Sequence, residues 1–141
     1  MPSIIRFTPR FGRLCLALVA TFICFSNPND SGLASAQSKY QAPADAYQKG
    51  DFSTAFTLWI RLAEEGNLGS YYNLGNLYLK GRGVRLNLLE AYKWFLLADR
   101  AGLPQAKVAL RRMNKVMTPA DKKEANLRVL RWYDLHPKTR R

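Results

Sequence analysis

The sequence predicts an all-α chain of helix hairpins stacked side by side, about three antiparallel pairs, and three observations carry that prediction. A pattern of apolar and small residues is written twice: Ala55, Leu58, Leu62, Gly66, Ser70 and Leu74 return 36 positions later as Ala91, Trp94, Ala98, Gly102, Ala106 and Leu110. Phe52, Phe56 and Trp59 keep the same offset with Leu88, Tyr92 and Phe95. A fixed period of roughly 20–50 residues marks an array of supersecondary units that bury their apolar faces against one another. Within each copy the apolar residues fall three and four apart, the spacing of one face of a helix, and no segment sustains the alternation of a strand. The connections are short and carry glycines and capping residues.

Residues 1–36 stand apart from that array. Arg6, Arg10 and Arg13 open the chain, an apolar-rich run spans Leu14 to Phe25, and Ala34-Ser35-Ala36 closes a polar linker. That order predicts a secretory signal peptide cleaved after Ala36. The run is shorter than the roughly 20 residues a spanning helix needs. Leu14 precedes Cys15 and Ile23 precedes Cys24, so neither cysteine follows the small residue of a lipoprotein signal. The expected mature chain, 37–141, is periplasmic or secreted and contains no cysteine. Disulfides, thiol nucleophiles and thiolate metal sites are thereby excluded, and the core must hold by burial alone.

The formal charge of +12 is uneven: residues 111–141 hold ten basic and three acidic side chains, against nine and six in 37–110. A basic end of this kind points to an acidic partner, whether protein, anionic lipid headgroup or glycan; a solvated helix face with a basic tail is the plainer reading.

Residues 37–50 read as a polar N-terminal segment, with Pro43 as a first-turn residue and Ala44, Ala46 and Tyr47 as weak helix formers. Gly50 interrupts and Asp51 caps a helix whose stripe is Phe52, Ala55, Phe56, Trp59, Leu62 and Ala63, ended by Gly66. The next helix, 68–80, turns Ser70, Tyr71, Leu74, Leu77 and Tyr78 inward and Tyr72, Asn76 and Leu79 away. Gly75 inside it predicts a close helix approach. Gly81-Arg82-Gly83-Val84 reads as a turn, since neither the strand nor the Lys-hydroxyl pair of a phosphate loop accompanies it. Asn87 caps a helix with the stripe Leu88, Ala91, Tyr92, Phe95 and Ala98. Gly102 and Pro104 then separate it from one that turns Ala106, Ala109, Leu110 and Met113 inward. Thr118-Pro119-Ala120-Asp121 is a strong start for a capping helix, 118–135, with Leu127, Val129, Leu130, Trp132 and Tyr133 available for burial. His136-Pro137 stops it, and residues 136–141 form a basic tail expected to be disordered.

The run Leu74-Gly75-x-x-Tyr78-x-x-Gly81-x-Gly83-Val84, followed by Ala91-x-x-Trp94-x-x-x-Ala98-x-x-x-Gly102-x-x-x-Ala106, resembles the Sel-one-like repeat, one of the tetratricopeptide-type helical solenoids. One repeat, 70–102, is complete, with partial repeats on either side within 51–117. The resemblance implies a right-handed α/α superhelix and a non-enzymatic adaptor that binds proteins or peptides in the cell envelope. From Arg111 onward the pattern lapses, as at a terminal cap.

No catalytic constellation is present. The one histidine, His136, lies in the stop sequence, and the carboxylates are scattered singly. Glu64 and Glu65 are adjacent on a helix and so do not face each other. No catalytic residue, metal site or cofactor is expected. Two binding sites are. A protein partner is assigned to the outward set Tyr72, Asn76 and Leu79 with its equivalents 36 residues on, Val108, Arg112 and Lys115. An anionic surface is assigned to Arg111, Lys122, Lys123, Arg128 and Arg131, together with Arg112, Lys115 and the tail. Nucleic acid is not expected, because no base-reading module accompanies the basic residues.

Overall fold

The computed structural model describes residues 30–140, with side chains from Ser38 onward. The described chain is all-helical: α1 (Asp30–Gln48), α2 (Phe52–Glu64), α3 (Leu68–Lys80), α4 (Leu88–Arg100), α5 (Pro104–Met113) and α6 (Pro119–Leu135), then a 3-10 turn at Pro137–Thr139. The basic opening and apolar run expected of a signal peptide lie outside the described residues. α1 crosses the Ala36–Gln37 bond expected to be cleaved.

The ends of the helices follow from local chemistry. Asp51, Asn67 and Asn87 each accept a hydrogen bond from the backbone N–H three residues on, at 3.0 Å. Thr118 and Asp121 exchange side-chain-to-backbone bonds in a full capping box. α1, α2 and α4 stop alike. The N–H of Gly50, Gly66 or Gly102 returns to the carbonyl three residues back, and the next N–H returns five back, which satisfies two otherwise orphaned carbonyls.

Pro43 corrects the sequence reading. It lies inside α1 and is buried, not at a helix start. Having no N–H, it leaves that turn one hydrogen bond short, within a helix that packs against α2.

Chain neighbours pack in turn, α1 on α2, α2 on α3, α3 on α4 and α4 on α5; α6 then lies on α4, not chiefly on α5. α4 is therefore central. Its Trp94, Leu97 and Ala98 join a core with Trp59, Leu62, Tyr71, Leu74 and Leu77. Its Ala91, Tyr92 and Phe95 join a second core with Leu110, Met113, Met117 and Ala125. Leu88, expected in the α4 stripe, is instead exposed at the first turn.

Two glycines are dictated by contact. A Cβ on Gly75 would lie 2.6 Å from the Phe95 ring, so the close helix approach expected at Gly75 is made with α4. Gly83 has φ +69°, and its Cβ would stand 2.3 Å from the Phe52 carbonyl oxygen. Any side chain there drives the 81–87 turn off the start of α2.

α6 presents two apolar stripes, and the structure chooses one. Ala125 and Val129 are buried and Trp132 is half-buried, with its ring 4.8 Å from Trp94. Leu127 and Leu130, expected to be available for burial, are 46% and 44% exposed. The small Ala125 lets the helix approach α4, and the Trp94–Trp132 contact sets its rotation. The tail departs from expectation too, for Thr139 is buried and its hydroxyl donates to the His136 carbonyl at 2.8 Å.

Candidate functional site: a groove across α1, α3 and α5

Between α3 and α5 lies a hollow of about 240 Å³, to which α3 brings Tyr72, Asn76 and Leu79 and α5 brings Gln105, Val108, Ala109, Arg112 and Met113. Leu88 and Val116 stand at its edge. A second hollow, about 370 Å³, opens on the other side of α3, where Ala44, Tyr47 and Gln48 of α1 and Trp59 of α2 face Asn73 and Lys80. Tyr72 and Asn76 line both, so the two hollows form one groove with α3 as the ridge along its floor.

Five of the six residues expected to bind a partner meet here: Tyr72, Asn76, Leu79, Val108 and Arg112. Lys115 does not. α5 has 10 residues where α3 has 13, so the offset that carries Leu79 into a helix carries Lys115 into the following turn. Val116 takes the place at the edge. Tyr72 and Leu79 are also less outward than expected. Both are half-buried, and the Tyr72 ring lies 5.5 Å from Phe95. They form floor, while Val108 and Arg112 form exposed wall.

The walls are held in place. Asn76 donates from its side-chain amide to the Tyr72 carbonyl at 3.1 Å. Tyr47 stacks edge-on to Phe52 at 5.0 Å and receives a hydrogen bond from Arg82 at 2.8 Å. No carboxylate lines either hollow. Among the described residues, no ion pair involves Lys80 or Arg112.

The residues assigned to an anionic surface are not gathered in the same way. Arg111, Lys123 and Arg131 are exposed. Lys122 donates to the Asn114 carbonyl at 3.4 Å. Arg128 is taken up by Glu90 at 2.6 Å and Glu124 at 2.8 Å. Hydrogen bonds to Glu124 and then Glu90 raise its already high pKa further.

Glu90 also pairs with Lys93 at 2.6 Å, and Lys93 rests 4.3 Å from the centre of the Trp94 ring. Burial alone would raise the Glu90 carboxyl, but hydrogen bonds and charge from Lys93 and Arg128 outweigh it and hold the group below its ordinary value. Lys93 is lowered, chiefly by burial against the pull of Glu90. Glu90, Lys93 and Arg128, with Arg131, Trp132 and Leu135, line a third hollow of about 200 Å³, between α4 and α6. Sequence reasoning missed this network, whose members lie 38 residues apart.

No protein-family model matches the chain, and no curated protein matches it either.

Proposed function

We propose that this chain is a non-enzymatic adaptor of the bacterial cell envelope that grips a segment of a partner protein in the α1–α3–α5 groove. On this reading the helices form a short right-handed α/α solenoid of the Sel-one-like type, and a leader cleaved after Ala36 delivers the mature chain to the periplasm or beyond. The observation that carries the proposal is the convergence of Tyr72, Asn76, Leu79, Val108 and Arg112 in one hollow, since those residues were selected by helix face and repeat offset alone. Hollows with apolar walls and a few convergent polar groups are where ligands bind.

A second reading, attachment to an anionic lipid or glycan surface, draws support from the outward side of α6, where Leu127, Leu130 and Leu135 are exposed near Lys123 and Arg131. A crosslinked pull-down from envelope extract at low and high salt separates the two. A discrete protein that survives high salt and is lost with Val108→Asp supports the adaptor. A heterogeneous anionic fraction released by salt supports attachment, because exposed charges are screened beyond about 10 Å at 0.1 M.

A further inference from the structure

We propose that the groove reads an extended acidic peptide through two subsites: a polar one between α1 and α3 for an Asp or Glu side chain, and an apolar one between α3 and α5 for a large aliphatic or aromatic side chain about three residues away. The inference rests on the groove being a protein-binding site and adds the chemistry of the occupant.

Three observations carry it. The α1/α3 hollow offers Gln48, Asn73, Asn76 and Lys80, a cation among side-chain amides that both donate and accept. Such amides match the N–H and C=O of an extended backbone, and a lipid tail presents neither group. The α3/α5 hollow is lined by Leu79, Leu88, Val108, Met113 and Val116. Val108 is 41% and Val116 68% exposed, apolar surface that a bound side chain would cover. Finally, the two cations in the groove, Lys80 and Arg112, have no carboxylate beside them in either hollow. A basic segment would bring like charge against them, whereas an acidic one supplies the missing counter-charge. The net charge of +10 on residues 37–141 steers the same choice at longer range.

The spacing follows from the width of the ridge. The furrows on either side of one helix lie about 10 Å apart. A peptide extended as a polyproline-II helix advances about 3.1 Å per residue and returns a side chain to the same face every third position. The acidic and apolar side chains therefore fall about three positions apart.

The test is selection of random dodecapeptides displayed on phage against the full chain, immobilised through a C-terminal tag. Recovered peptides are then synthesised and titrated against variants. The expected result is enrichment of Asp or Glu about three positions from Leu, Ile, Phe or Met. Lys80→Glu and Val108→Asp should each weaken these peptides about tenfold or more, and selection against Lys80→Glu should recover Lys or Arg in place of the acid. Both positions are exposed, and thermal melting verifies the fold; Arg112→Glu serves as a second charge reversal. Peptides that depend on Val108 yet show no acidic preference would overturn the two-subsite proposal and leave the peptide groove standing. Peptides indifferent to all three variants, or none recovered, would overturn both.

Discussion

Lys93 and Arg128, between α4 and α6, are held in the opposite way to Lys80 and Arg112 in the groove. Between α4 and α6, Lys93 and Arg128 are tied to Glu90, Arg128 also to Glu124, and Lys93 lies against Trp94. In the groove, Lys80 and Arg112 stand among amides and apolar side chains with no ion pair among the described residues. On the proposed reading, the difference separates structural charge from recognition charge. A paired, partly buried cation fixes one helix against another, and removing its partner strands it. An unpaired cation on a concave wall adds little to folding and leaves its field to whatever docks there.

The largest expected effect comes from taking away the hinge of the paired face. Trp132→Ala removes the ring that seats α6 on Trp94 and should cost about 3 kcal/mol, read from urea unfolding. Glu90→Gln should cost about 2 kcal/mol, because it leaves Lys93 half-buried beside a neutral amide. The pH profile sharpens this prediction. Glu90 titrates below its ordinary value of 4.5 in the folded chain. Its stabilisation is present above that value and fades as pH falls through the lower folded one, so the wild type should lose stability in acid more steeply than Glu90→Gln. At the small end, Lys80→Ala and Arg112→Ala should shift stability by less than about 0.5 kcal/mol. A loss from either as large as that from Glu90→Gln would break the contrast, since it would make the groove cations structural.

Most of the helical framework is legible in the sequence. In α2 to α4, apolar stripes, Asx caps and terminal glycines agree with one another, so local and tertiary preferences coincide. α6 could not be read so well. Ala125-Val129-Trp132 and Leu127-Leu130 are both plausible inward stripes, and hydrophobicity favours the leucines. The outcome was decided by the Trp94 ring, a partner more than thirty residues away in sequence. α1 misled for a local reason: proline commonly begins a helix, but Pro43 sits in the middle of one. Half of the groove could be read and half could not. Val108 and Arg112 follow from helix face and offset alone. Gln48, Asn73 and Lys80 line the groove only because α1 comes to rest beside α3, which is a tertiary fact. The Glu90–Arg128 pair depends on the same rotation of α6 that the sequence leaves open.

The central position of α4 has a kinetic consequence. Its first neighbours, α3 and α5, are adjacent in the chain, so their contacts close short loops at small entropic cost. The α3–α4 hairpin, with Gly75 against Phe95 and Tyr71 against Trp94 at 6.0 Å, is therefore the natural nucleus, and α6 can dock only once the Trp94 face exists. The amides of α4 then belong to the last unit to open, exchanging with solvent only on global unfolding, while α6 and α1 peel away first. A partner seated along the groove spans α1, α3 and α5, and would slow the peeling of α1 while leaving that of α6 unchanged.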